Sequence, residues 1–189
     1  DFEYEIIMID DGSVDDTFSF FESLHSQNLR LKAVQFSRNF GHHIAITAGL
    51  DMADGDYVVM MDGDLQDQPE AIKKLYAKLK EGYDVVYGER VNKKFSLVKR
   101  ILSRLFNAFI RRLIREPIVI NSTIFRMMTR QVADSVKLLR EHNRYILGIV
   151  GWVGFRQVAT PVVHGTRFGG QSKYNFGRQL VSWAGNVTL

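Results

Sequence analysis

Four carboxylates, Asp62, Asp64, Asp67 and Glu70, fall within nine positions in the stretch MMDGDLQDQPE, directly after the apolar run at 57–61. Like charges packed this tightly repel unless a cation sits among them. Hard divalent cations take oxygen ligands, and Mg²⁺ is typically held by one or two carboxylates together with substrate phosphates. Asp62 and Asp64 flank Gly63, and strand alternation would point both to one side, while a glycine leaves room for a phosphate or a sugar to approach. An EF-hand loop is excluded, because counting from Asp62 its sixth and twelfth places hold Asp67 and Lys73 instead of Gly and Glu. A phosphatase with an aspartyl nucleophile would carry a hydroxyl residue soon after the pair, where this chain has Leu65 and Gln66. A solvated acidic turn with Asp67 and Glu70 at the start of the next helix is the plain alternative, since acidic groups favour the positive end of a helix dipole.

A second acidic turn, Asp10-Asp11-Gly12-Ser13, ends the β-branched run at 4–9. A carboxylate there can accept the imino hydrogen of uracil or guanine. A turn followed by a helix cap is equally compatible with Ser13 and Asp16, which have the spacing of a capping box. Charge is also polarised: residues 51–70 are acidic, whereas Lys93 to Arg115 contains eight Lys or Arg and no acid.

The elements that must position these groups alternate. Strands are predicted at 4–9, 31–36, 56–61 and 83–87, and helices at 14–27, 42–53 and from Pro69 to 81, with proline suited to a first helical turn. That order predicts an α/β sandwich with a mostly parallel sheet, in which ligands bind at the carboxyl ends of the strands. Both acidic turns fall at such ends. The second half predicts a long helix at 95–115, a strand at 118–127, a helix at 129–139, a strand at 155–163, a Gly-rich basic loop at 164–174 and an amphipathic helix at 175–189. No internal repeat is present.

With 189 residues, 46% hydrophobic and 24% charged, the chain has the composition of one globular domain with a real core. It has no cysteine, which excludes disulfides, thiolate metal sites and a Cys nucleophile. No apolar run is long enough to span a bilayer, and no signal-peptide pattern is present. Gly148-Ile149-Val150-Gly151 has the wrong spacing for a dinucleotide-binding fingerprint.

Three stretches together, EIIMIDDGSVDDT (5–17), FSRNFGHHIAITAGLDMADGDYVVMMDGDLQDQPE (36–70) and RFGGQSKY (167–174), resemble the family 2 glycosyltransferases of GT-A fold. The resemblance is strongest to the branch that includes dolichyl-phosphate mannose synthase and the bacterial polyprenyl-phosphate sugar transferases. It implies that Asp10 and Asp11 read the nucleotide, with Arg38 and Asn39 of the SRNFG loop nearby. It implies that Asp62 and Asp64 hold Mg²⁺ or Mn²⁺ on the diphosphate, with Gln66 reaching the same metal. Arg167, Gly170, Ser172 and Lys173 match a loop that closes over the diphosphate, where cations stabilise the charge built up on the leaving group. Arg126 and Arg130 match basic positions near an acceptor phosphate.

The chain departs from the pattern at Ile120-Asn121-Ser122-Thr123-Ile124, where relatives often carry an Asp proposed as base. A phosphate monoester, with its second pKa near ~6, is largely ionised at neutral pH and needs no such base. A sugar hydroxyl would need one, so the departure points to a lipid phosphate acceptor. The implied reaction moves a sugar from a UDP- or GDP-sugar to a polyprenyl phosphate, with inversion. A non-catalytic nucleotide-sugar-binding module and a transferase to a sugar hydroxyl remain the alternatives. Proteins of this branch begin with a strand before the one at EIIMIDDGS and often continue into transmembrane helices. The expectation is therefore a single GT-A domain over 1–189 that lacks both.

FSLVKRILSRLFNAFIRRLIRE (95–116) sets Val98, Ile101, Leu102, Leu105, Phe109 and Leu113 on one helical face, among Lys99, Arg100, Arg104, Arg111, Arg112 and Arg115. A basic amphipathic helix of this kind can lie in a headgroup layer. Each basic side chain contributes ~1 kcal/mol near an anionic surface. A core helix with a cationic face is the alternative; no nucleic-acid recognition fold accompanies the charge. The expected place is the cytoplasmic face of the membrane. A homo-oligomer is left open.

Overall fold

The computed structural model describes residues 2–90, 124–140 and 146–165. The predicted helix at 95–115, most of the strand at 118–127, most of the loop at 164–174 and the segment 175–189 lie outside them, as do Arg167, Gly170, Ser172 and Lys173.

The first half follows the predicted alternation. Strand β1 (Ile6–Asp10) is followed by helix α1 (Thr17–Gln27), strand β2 (Leu31–Gln35), helix α2 (His42–Met52), strand β3 (Tyr57–Met60), and helix α3 (Ile72–Lys80), which a short 3-10 turn at Pro69–Ala71 leads into. Helix α1 begins three residues later than predicted and no capping box forms. The Ser13 N–H is claimed by Asp10 Oδ1 at 3.0 Å, and Asp16 stands at the N-cap without a side-chain bond to the helix. The start is set instead by Asp15, whose Oδ1 accepts the N–H of Thr17 at 3.1 Å.

Strand β4 (Val85–Arg90), strand β5 (Arg126–Thr129), helix α4 (Arg130–Leu138), helix α5 (Ile146–Trp152) and strand β6 (Gln157–Val162) complete the described chain. The Thr129 side chain caps α4 by accepting from the Val132 N–H, the hydroxyl cap such a helix favours. Helix α5 was not anticipated. Ile146, Ile149 and Val150 are all buried, and the sequence ILGIVGW has no polar residue to give the helix a 3.6-residue signature.

Four strands form one mixed sheet in the order β3-β5-β4-β6. β5 pairs antiparallel with both β3 and β4, and β4 pairs parallel with β6. Strands β3, β4 and β6 therefore run one way and β5 alone runs against them. Strands β1 and β2 pair in parallel in a two-stranded sheet of their own. Helix α2 packs on β1 and also reaches α4 and α5, bridging the two sheets.

Period-2 alternation divides β4 between two cores. Val85 and Tyr87 face a cluster with Val58, Met60, Met128, Val132, Val136, Ile146 and Val150. Val86 faces the opposite cluster, where Phe125, Met127 and Val162 meet Leu75 and Leu79 of α3. A strand buried on both faces is the mark of a sheet covered by helices on each side. Among the described residues no helix is long and apolar enough to cross a membrane.

Candidate active site

The turn after β1 is fastened to the loop before α2. Asp11 accepts the backbone N–H groups of Phe40 at 2.8 Å and of Gly41 at 3.0 Å. In return, the Asn39 side-chain amide donates to the Asp11 carbonyl at 3.2 Å. Gly12, at φ 69°, lies so close to this loop that a Cβ would sit 2.4 Å from the Arg38 carbonyl carbon and 2.7 Å from the Asn39 nitrogen. Asp10, Asp11, Arg38 and Asn39 are thus brought together, as the sequence motifs required. Asp10 is buried and holds the Ser13 N–H and the Gln35 side-chain amide. Burial pushes its carboxyl upward, but the hydrogen bonds from Ser13 and Gln35 outweigh that and hold it below the usual range. Arg38 is exposed and lies over the Phe40 ring, 4.5 Å from its centroid.

From this latch the chain leads directly to the second acidic turn. Two residues past Gly41, His43 lies in the first turn of α2, and its pKa is lowered by burial first, then by His42 and by the Arg126 cation. Arg126 opens β5 opposite Met60, the last residue of β3, and Asp62 follows two residues on. The start of α2, the start of β5 and the end of β3 therefore share one end of the molecule, and both acidic turns open there.

Asp62 and Asp64 are half-buried in the turn beyond β3. Strand alternation does not orient them, because the strand has already ended at Met60. The turn is shaped by Leu65, a non-glycine residue at φ 60° with its side chain 63% exposed. This kink brings the Gln66 N–H back onto Asp64 Oδ1 at 3.1 Å. A left-handed conformation at such a residue is costly and concentrates at functional sites.

Asp67 does not start the helix as expected. It is 1% exposed, and Oδ1 lies 3.0 Å from His164 Nδ1. The residue at the head of the 3-10 turn is Gln68, with Glu70 in its first turn. Nothing in the sequence singled out His164; a polar residue on the far side of β6 leaves no local pattern.

The predicted arginines part company. Arg126 is fully buried; its Nε–H donates to the Ile124 carbonyl at 3.2 Å, and its guanidinium lies 4.8 Å from the Tyr87 ring centroid. It is a cation beneath the strand ends and not one displayed to solvent. Arg130 is elsewhere. Its backbone N–H donates to the Asp56 carbonyl, and its guanidinium donates to the carbonyls of Ala53 at 2.7 Å and of Gly55. Asp134 faces it at 3.5 Å. Thr129, just before it, pairs with Tyr57 at the amino end of β3. The structure thus does not bring Arg130 to the other site residues, because it is a strut joining α4 to the end of α2.

The donor set fits a hard divalent cation. Asp62, Asp64 and the Gln66 amide offer oxygen only, and Asp67 is withheld by His164. Among the described residues no group of three His, Cys, Asp or Glu could hold a metal. Two carboxylates completed by substrate phosphate is the arrangement Mg²⁺ and Mn²⁺ favour.

An α/β sandwich with two acidic turns at its strand ends is the GT-A fold of nucleotide-sugar transferases. The family model for glycosyl transferase family 2 matches residues 1–137, and the chain belongs to that family. It is 40% identical to the uncharacterized glycosyltransferase YkcC of Bacillus subtilis (strain 168), across 94% of this chain and 55% of that protein. It is 36% identical to the undecaprenyl-phosphate 4-deoxy-4-formamido-L-arabinose transferase of Klebsiella pneumoniae subsp. pneumoniae, again across 94% and 55%. The chain spans about half the length of these curated relatives. Among solved structures, the mannosyltransferase PcManGT from Pyrobaculum calidifontis in complex with GDP-Man and Mn²⁺ shares the fold, with a TM-score of 0.60 at 17% identity, covering 89% of this chain and 49% of that one. Glucosyl-3-phosphoglycerate synthase from Mycobacterium tuberculosis with Mn²⁺ and UDP-Glc does so at a TM-score of 0.54 and 19% identity, covering 95% and 66%.

Proposed function

We propose that the protein moves a sugar from a UDP- or GDP-sugar to a polyprenyl phosphate at the cytoplasmic face of the membrane. The observation that carries this is the placement of two acidic turns at one end of the fold, the first latched through Asp11 and Gly12 to residues 38–41. Asp10 and Asp11 with Arg38 and Asn39 receive the nucleotide. Asp62 and Asp64, with Gln66, hold Mg²⁺ or Mn²⁺, which would neutralise charge on the departing diphosphate. Arg167 and Lys173 would supply further positive charge there and Ser172 a hydroxyl donor, and Arg126 adds a buried cation beneath the site. The acceptor phosphate oxygen forms a bond to the anomeric carbon as the bond to the diphosphate oxygen breaks, inverting the configuration. No proton need be removed from an ionised phosphate.

The lipid acceptor is supported by the undecaprenyl-phosphate transferase among the relatives and by the basic amphipathic stretch at 95–116. The test is a donor screen with the protein in membranes, scoring lipid-linked sugar with and without added polyprenyl phosphate. Transfer from one nucleotide sugar, abolished by chelation, restored by Mn²⁺ or Mg²⁺ and lost in Asp64→Ala, is the expected result. Turnover retained in Asp64→Ala, or nucleotide release indifferent to polyprenyl phosphate, would overturn it.

A further inference from the structure

Asp67 lies one residue from Gln66 in the acidic loop, yet it is almost wholly buried. A buried carboxylate is costly unless paired. Its partner, His164, has a side chain 13% exposed and lies just past the end of β6. An ionised carboxylate only accepts, so Nδ1 of His164 is the donor in the 3.0 Å bond. The backbones meet as well. Asp67 and His164 form an isolated antiparallel bridge, and the Gly165 N–H donates to the Gln66 carbonyl at 2.8 Å. A Cβ on Gly165 would lie 3.6 Å from the Leu65 carbonyl oxygen and 3.7 Å from that of Gln66. Residues 65–67 are therefore clasped by 164–165.

The clasp acts where apolar packing does not hold the loop. Leu65 keeps its positive φ with an exposed side chain, so apolar packing does not stabilise the kink. The Gln66 N–H, whose position the clasp sets, is bonded to Asp64 Oδ1. As a stability device the pair is poor, since among the described residues Asp67 Oδ2 and His164 Nε2 are buried without a hydrogen-bond partner, and buried pairs of this kind are often replaceable by apolar residues at no loss. We propose that Asp67 and His164 are positioning residues: they fix the backbone of 65–67 and, through the Gln66 N–H, aim the Asp64 carboxylate at the divalent cation. Groups that orient metal ligands commonly change affinity or activity about 10–100-fold when removed. The proposal rests on the metal–nucleotide site described above.

The test is calorimetric titration of Mn²⁺ in the presence of UDP and, separately, GDP, with thermal melts alongside. It compares the intact chain with Asp67→Ala, His164→Ala, the double variant and His164→Asn. Each single alanine variant should weaken Mn²⁺ binding about 10–100-fold, and the double should be no weaker than either single, because one interaction is removed once. His164→Asn, whose amide N–H takes the place of Nδ1–H, should recover most of the affinity. Should the alanine variants not fold, His164→Gln against His164→Asn decides, since Gln keeps the bulk without a donor at the Nδ1 position. Lower melting temperatures with unchanged Mn²⁺ affinity, additive losses, or Asn no better than Gln would overturn the clasp alone. An intact protein that binds Mn²⁺ with neither nucleotide would overturn the metal site and the clasp together.

Discussion

Strands β1 and β2 with helix α1 contribute a single buried residue, Asp10, whereas β4 alone buries Val85, Val86, Tyr87 and Gly88. The four-stranded sheet is held by apolar packing on both faces. The two-stranded unit is held by α2, which bridges the sheets, and by polar fastenings such as Asp11 on residues 40–41 and Glu5 on Lys32 at 2.6 Å. Two strands by themselves are marginal in water. The contrast teaches where change is tolerated. Packing spreads its energy over many contacts, while a latch of hydrogen bonds and one close glycine concentrates it in a few atoms that also shape the first acidic turn.

The largest expected effect tests the packed half. Phe125→Ala removes a fully buried ring and should cost about 3–5 kcal/mol in denaturant unfolding. Ile7→Ala on half-buried β1 should cost well under half of that, and equal losses would erase the contrast. Next is Gly12→Ala, which meets both the left-handed φ, ~1–2 kcal/mol for a residue with a Cβ, and the overlap with the backbone of residues 38–39. It should lower UDP or GDP affinity at least about tenfold, read by calorimetry; unchanged affinity would show that the latch does not shape the site.

A smaller effect appears on acidification. The lowered pKa of His43 means the folded protein resists a proton that the unfolded chain accepts. Its contribution is present above the ordinary histidine value and is lost as pH falls through and below it. Asp10, also lowered, acts likewise at the more acidic carboxylate range. His43→Gln should flatten the stability profile between about pH 7 and 5, measured by melts across that range; an unaltered slope would refute the assignment. The smallest effect is Leu65→Gly. Relief of the positive φ is partly offset by glycine's unfolded-state entropy, leaving a gain of less than about 1 kcal/mol.

The strands and helices of the first half and both acidic turns were legible because period-2 and 3.6-residue patterns and turn residues are local signals. The latch was half legible: DDG and SRNFG could be matched as motifs, but their mutual contact spans about thirty residues. Helix α5 was not legible, since ILGIVGW has no polar residue to set an amphipathic pattern. Asp67 and Arg130 were misplaced for a shared reason. Each has a conventional local role by sequence, helix start or phosphate contact, and each is claimed by a group brought close only by the folded sheet.

The chain's own order of residues determined the α/β class, the carboxylates at the strand ends and the exclusion of cysteine chemistry, because composition, periodicity and turn chemistry act within a few residues. Which carboxylate of the second acidic turn stays half-buried and which is fully buried was decided by tertiary structure alone. Asp64 is held by its neighbour Gln66, but Asp67 is taken by His164, nearly a hundred residues away, because β6 runs beside β4 and delivers its carboxyl end to the loop beyond β3.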